Sequence, residues 1–305
     1  MKNFNSFIER AIQVIKPSRE TVVTSISSIR NIVKNEVRNT GIKSFVIGIS
    51  GGLDSAVVAA LMRPVCDELN IKLIGVSIPL SSSNDHKEKA KHVGEKYCHS
   101  FMEMNQWEEG SPSIHSQIDN VIKSTNVVAA AAGFDTSSFN DNIAQGNIKA
   151  RLRMMSLYRL AGVTNGIVLS TDNYSEYFLG FWTICGDVGD ISPIQFVEKG
   201  TEEIEIAKYL GIREDIITQK PSDGLNTQSE GDCDEDQLGL SYASIGPIIF
   251  GYENRLPEDL QEEFDKNIVN IPIVKSIIDR HKRTYFKRRG PFFVTRDMNN
   301  LPLKF

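Results

Sequence analysis

The sequence predicts an α/β fold: a doubly wound parallel sheet with helices on both faces and helical additions at both ends. Two observations carry that expectation. Short apolar runs of strand length, at 44–49, 72–78, 100–104 and 166–170, alternate with longer segments of helical periodicity. A glycine-rich stretch also lies between the first run and the helix after it, as βα units with a parallel sheet require.

The elements follow in order. Phe7, Ile8, Ala11, Ile12 and Ile15 form one apolar helical stripe, Pro17 interrupts it, and Val22, Ile26, Ile29, Ile32 and Val33 form another. Residues 1–40 are therefore read as a helical N-terminal arm, and 41–305 as the main domain with a basic C-terminal tail. The run 44–49 (SFVIGI) is the first strand and 56–69 returns to helix. A second buried strand at 72–78 leads to a charged helix at 85–97 and a third strand at 100–104. A strongly patterned helix at 148–160 precedes the strand at 166–170. Residues 219–236 are rich in Ser, Gly, Asp and Asn, and a polar loop of that length inside a domain is usually functional or a lid.

Composition excludes several classes. The chain has 305 residues, 40% hydrophobic and 24% charged, as a folded globular protein would. Its net charge of −5 argues against a non-specific nucleic-acid binder, although residues 281–289 form a basic run. No run approaches the roughly 20 apolar residues of a membrane span, and the first residues hold no apolar signal-peptide core. The four cysteines, Cys66, Cys98, Cys185 and Cys233, form no CxxC pair and read as reduced thiols, so a cytoplasmic location is expected.

The central signal is Gly48-Ile49-Ser50-Gly51-Gly52-Leu53-Asp54-Ser55. A plain tight turn does not need two adjacent glycines framed by serines. A nucleophile elbow matches G-x-S-x-G, but that fold builds several strands before its elbow, and here only helical sequence precedes the strand. A phosphate cradle explains more: glycines let backbone N–H groups converge on an anion at a helix N-terminus, and Ser50 and Ser55 add donors. There is no Walker lysine, and Asp54 suits a metal-bridged phosphate.

The pattern S-G-G-x-D-S resembles the PP-loop, which holds pyrophosphate when ATP is cleaved between its α- and β-phosphates. Further segments narrow the match: Gly146 to Arg153, Thr171 to Glu176, Gly180 to Pro193, Pro221 to Leu225, and Asp234 to Tyr242. In order and spacing they resemble the ammonia-dependent NAD synthetases, of adenine-nucleotide α-hydrolase-like fold. The resemblance implies ATP-dependent amidation of deamido-NAD to NAD through an acyl-adenylate, with release of AMP and pyrophosphate. It implies an ATP set of Gly48, Ile49, Ser50, Gly51, Gly52, Leu53, Asp54, Ser55, Thr171, Lys199 and Ser222. Asp54, Lys199 and Ser222 are its catalytic candidates, Asp54 and Glu176 its Mg²⁺ carboxylates, and Arg151, Asp190, His281 and Lys282 its deamido-NAD contacts. It also implies a homodimer, whose surface the N-terminal helices and Phe181-Trp182 would supply.

The match departs in the acid-substrate half. Family members carry a lysine where this chain has Ile184, which removes a charge and its donors together. Either a neighbouring cation, from the Lys287-Arg288-Arg289 run, restores binding, or the enzyme adenylates a different acid. A nucleotide-binding paralogue without turnover and a tRNA-modifying PP-loop enzyme are the other classes weighed. No glutaminase domain with a nucleophilic cysteine precedes the loop, so free ammonia or a separate donor is expected.

Overall fold

A computed structural model describes residues 2–80, 83–104, 114–135, 141–222 and 233–289. Helices α1 (Lys2–Ile15) and α2 (Arg19–Val37) lead into β1 (Ser44–Gly48). There follow α3 (Leu53–Leu69), β2 (Lys72–Ser77), α4 (Asn84–Tyr97), β3 (Ser100–Glu103), α5 (Ile114–Ala131), α6 (Asp141–Val163) and β4 (Gly166–Val168). After α7 (Tyr174–Leu179), a π-helical turn at Lys199–Glu203 runs into α8 (Ile204–Tyr209). The rest is helical: α9 (Glu214–Ile217), α10 (Asp234–Leu238), α11 (Tyr242–Tyr252), α12 (Glu258–Glu263), α13 (Pro272–Arg283) and a 3-10 turn at Tyr285–Arg289.

The sheet is parallel in the order β3-β2-β1-β4, with Val46 in register with Ile74 and Val168. Alternation along β1 explains why its sequence reads as continuously apolar. Phe45 and Ile47 join the core formed with α2 and α3, whereas Val46 joins Met154, Leu157 and Ala161 of α6 on the opposite face. The chain steps from β1 through β2 to β3 on one side, then returns to place β4 on the other edge of β1. The carboxyl ends of β1 and β4 thus open at a topological switch point, where α/β sheets bind ligands.

A second core sits beside the first, built by α1, α7, α11 and α13 around Phe7, Phe178, Ile245, Phe264 and Ile277. The stripes of α1 and α2 are used largely inside the subunit, with Phe7 and Ala11 fully buried and Val22, Ile26 and Val33 in the main core, while Ile32 of the second stripe stays 66% exposed. Burying each large apolar side chain contributes about 1.5–3 kcal/mol, which favours this inward use.

Helix α5 and the early start of α6 at Asp141 go beyond the sequence expectation. The α5 segment carries Val121, Val127 and Val128 at half or more exposure, so its apolar residues trace no single buried stripe. In α11 the opposite holds: Ile245, Gly246, Pro247, Ile248 and Ile249 are all buried, leaving no polar face to mark a period.

Candidate active site

The loop after β1 is shaped by its own residues. Ser55 Oγ donates to Gly52 O at 3.1 Å and accepts from Ser50 N at 3.3 Å, and Ser50 Oγ accepts from Gly52 N at 3.2 Å. These bonds curl residues 50–55 around the N-terminus of α3. Gly51 has φ +86°, and a Cβ there would lie 2.3 Å from His86 O, so the close approach of α4 also demands glycine. Ser83 caps α4, and His86 and Lys89 both bond Gln219, tying the start of the 219–236 stretch to this side of the site. Residues 223–232 of that stretch, and with them the Asp223 to Leu225 part of the motif, lie outside the described residues.

Beyond the loop, charge is concentrated. Asn173 and Glu176 form a capping box at the start of α7, which fixes the Glu176 carboxylate. Asn173 Nδ2 then donates to Asp54 Oδ1 at 2.6 Å. Lys199 Nζ completes the link, 3.1 Å from Asp54 Oδ2 and 2.7 Å from Glu176 Oε1. The lysine is placed by Glu198, whose carboxylate accepts from Gly200 N, Thr201 N and the Ser175 hydroxyl. Its ammonium also lies 4.6 Å from the Tyr242 ring centroid.

The ionisation of this cluster follows from burial. Asp54 and Glu176 raise the Lys199 pKa well above its ordinary value against the desolvation that opposes them. Burial pushes Glu176 up, to about 8, although Lys199 pulls the other way. Burial drives Asp172 to about 7, helped by Asp187 and opposed by the Ser170 hydroxyl. Glu203, four positions beyond Lys199, is fully buried, neither carboxylate oxygen accepts a hydrogen bond from a donor among the described residues, and burial with Asp54 beside it raises its pKa well above the ordinary range. With one ammonium among them, Asp172, Glu176 and Glu203 hold their protons above the ordinary carboxylate range, a load that a second cation would relieve. The cluster therefore fits a further cation, although among the described residues no three acidic, His or Cys side chains meet at metal-binding distance.

One cleft of about 1340 Å³ joins these parts. Of the expected ATP set, Gly48, Ile49, Ser50, Gly52, Leu53, Asp54, Ser55, Thr171, Lys199 and Ser222 line it, together with Glu176. Gly51 lies behind the loop, fully used in its approach to α4. The four expected dinucleotide contacts lie apart from the lining. Arg151 is exposed and donates to Ile184 O at 3.3 Å. Asp190 accepts from Val168 N at 2.8 Å and from the Tyr158 hydroxyl at 2.9 Å, so it fastens the end of β4. His281 stacks on Phe178 with centroids 4.0 Å apart and bonds Phe178 O, and Lys282 beside it is exposed. Among the lining residues that sequence reasoning did not single out are Asp172, Asp187 and Arg280.

A parallel sheet whose switch point holds an S-G-G-x-D-S loop, with a lysine pinned between two carboxylates, defines a PP-loop ATP pyrophosphatase fold. Comparison with known proteins gives the family. The NAD synthase family model matches residues 25–291, so the chain belongs to the NAD synthase family. An NH3-dependent NAD+ synthetase of Methanocaldococcus jannaschii is 33% identical over 270 residues, covering 87% of this chain and 96% of that one. Among solved structures, the NMN synthetase of Francisella tularensis superposes with a TM-score of 0.66 at 26% identity, over 90% of this chain and 98% of that one. An NH3-dependent NAD synthetase of Campylobacter jejuni shares the fold, with a TM-score of 0.65 at 23% identity over 90% and 99% of the two chains.

Proposed function

We propose that this chain is a C–N bond-forming ligase that amidates deamido-NAD with ammonia at the expense of ATP, releasing AMP and pyrophosphate. The observation that carries the proposal is the single cleft running from the PP-loop, past the Asp54–Lys199–Glu176 cluster, to the Phe181-Trp182 wall. At about 1340 Å³ the cleft exceeds the roughly 300–1,000 Å³ of an ordinary ligand pocket, which supports a site for more than one substrate.

In this reading the backbone of residues 50–53 and the hydroxyls of Ser50 and Ser55 hold the leaving pyrophosphate at the positive end of α3. The nicotinate carboxylate attacks the α-phosphorus, and ammonia then displaces AMP from the acyl-adenylate. Lys199 stays charged against burial and faces the charge that grows around the α-phosphate, while Thr171 and Ser222 contact ATP. Asp54 and Glu176 would hold Mg²⁺ together with the phosphate oxygens of ATP, and the ion supplies neutralisation of the leaving group when bound. Arg151, Asp190, His281 and Lys282 are proposed contacts of the dinucleotide. Their position outside this subunit's cleft supports a homodimer in which substrate bridges subunits. Free cysteines support a cytoplasmic location, and ammonia arrives free or from a separate donor. Among the described residues no helix is long and apolar enough to cross a membrane.

Carboxyl-labelled deamido-NAD tests the chemistry. If the carboxylate attacks ATP, one ¹⁸O atom appears in the phosphate of AMP; label retained only in NAD excludes the acyl-adenylate. A second reading, amidation of the deamido form of NMN, is favoured by the Francisella tularensis likeness.

A further inference from the structure

His86, in the first turn of α4, sits between two parts of the cleft. On one side is the PP-loop: a Cβ on Gly51 would lie 2.3 Å from the His86 carbonyl oxygen, so the start of α4 is pressed against the loop. On the other side its ring meets Gln219, whose Nε2 is 2.6 Å from His86 Nε2. From Gln219 the chain runs through Lys220 and Pro221 to Ser222, and all four residues line the cleft together with His86. Pro221 O accepts from Asp234 N at 2.9 Å. This short segment is therefore fastened twice, to α4 through Gln219 and to the start of α10 through Pro221.

Hydrogen-bond chemistry fixes the ring in one form. The buried Lys89 ammonium donates to Asp85 Oδ2 and to Gln219 Oε1, each at 2.7 Å, and an ammonium cannot accept. That orients the Gln219 amide, so its NH2 end points at His86 Nε2, which must accept. The ring proton then sits on Nδ1, 3.0 Å from Ser83 Oγ. An imidazolium would set one N–H against another and lose the bond to Gln219. Burial disfavours the charged ring, Asp85 favours it, and Lys89 disfavours it. From the PP-loop and the 219–222 segment the residue is faced by uncharged groups, Gly51 and Gln219. Lys87 and Lys220, next in sequence, line the cleft and add positive charge on this side. Arg213, at the start of α9, is paired with Glu88 and Asp215.

We propose that His86 is a positioning residue of the ATP site: its neutral Nδ1–H form holds Gln219, and with it the segment to Ser222, against the helix that backs the PP-loop, and protonation releases that hold. The ring takes no chemical step. It acts through Gln219, setting Ser222 in place before the nucleotide arrives, so that less ordering is left for binding to supply. Burial lowers the pKa of His86 from 6.5, so the hold is complete above 6.5 and is lost as pH falls through the lowered value. ATP affinity then weakens on the acid side through a residue that need not touch ATP.

This inference rests on the proposed ATP role of the cleft, and the experiment separates the two. Ring ¹⁵N shifts of His86 read its tautomer, and calorimetry reads Mg-ATP binding from pH 7.5 to pH 5 in wild type, His86→Gln, His86→Leu and Gln219→Glu. At pH 7.5 the shifts should show Nε2 without a proton. His86→Gln keeps an acceptor for Gln219 and does not titrate, so the titration of the nucleotide itself cancels in the comparison. As pH falls, wild type should lose roughly 2- to 10-fold in affinity relative to His86→Gln, the range for one hydrogen bond. His86→Leu should bind weakly at every pH. Gln219→Glu sets a carboxylate against the ring and pairs with the imidazolium, so its affinity relative to His86→Gln should rise on acidification. One pH profile shared by wild type, His86→Gln and Gln219→Glu overturns the role of His86, as does a ring proton on Nε2 at pH 7.5. His86→Gln as weak as His86→Leu assigns the residue to packing and also overturns it. Wild type that binds no Mg-ATP at any pH overturns the ATP reading of the cleft, and the role of His86 with it.

Discussion

Lys199→Met removes the ammonium that joins Asp54 to Glu176 while keeping most of the buried stem. In wild type that ammonium lies 3.1 and 2.7 Å from the two carboxylates, and the lysine side chain is 7% exposed. Removing one partner of a buried pair costs about 3–5 kcal/mol, because the other charges stay behind unpaired. At about 2 °C per kcal/mol for a large domain, Tm falls by roughly 6–10 °C. The deficit depends on pH. Burial raises Glu176 from 4.5 to about 8, so the stability linked to its protonated form is complete below 4.5 and is lost as pH rises through about 8. Without Lys199 that carboxyl holds its proton still more tightly, so the loss on raising pH is steeper. Thermal unfolding at pH 5 and pH 8 should show a larger gap between wild type and variant at pH 8. Loss of a preorganised cation should also lower kcat by roughly 10²–10³. Equal Tm at both pH values, with kcat intact, refutes the placement of Lys199 as the shared counter-charge.

Three further outcomes follow from single contacts. Gly51→Ala places a Cβ 2.3 Å from His86 O at a φ of +86°, so about 1–3 kcal/mol of strain falls on the loop, and calorimetry should show weakened ATP binding. Asp190→Ala leaves Val168 N without its acceptor and should lower stability by about 1–3 kcal/mol in urea unfolding, whatever its effect on KM. His281 is held neutral by burial against Phe178, its pKa lowered from 6.5. Its contribution to stability is therefore full above 6.5 and lost as pH falls through the lowered value; His281→Phe should flatten that acid limb of the unfolding profile.

Much of the architecture was legible because its physics is local. A run such as Phe45-Val46-Ile47, apolar on both faces, requires cover from both sides, and helices supply it. The Gly51-Gly52 pair requires an anion or a close neighbour, and the structure gives Gly51 the neighbour and the loop the cleft. What was not legible depends on chain segments far apart in sequence. Glu203 looks like one more acid of a charged helix, yet a π-helical turn buries it beside Asp54, 149 positions away by subtraction of the two numbers. Arg280 and Lys287 look like a solvated basic tail, and only the packing of α13 against α7 brings them to Leu179 and Trp182. No spacing rule announces such a pairing.

The central claim is the identity of the acid and its product. Purified protein is incubated with Mg-ATP, ammonium and either deamido-NAD or the deamido form of NMN, with AMP, pyrophosphate and the amide measured together. NAD, AMP and pyrophosphate forming in equal amounts, at the higher kcat/KM with deamido-NAD, is the predicted result. Pyrophosphate release that ignores deamido-NAD, or that answers to the mononucleotide alone, contradicts it.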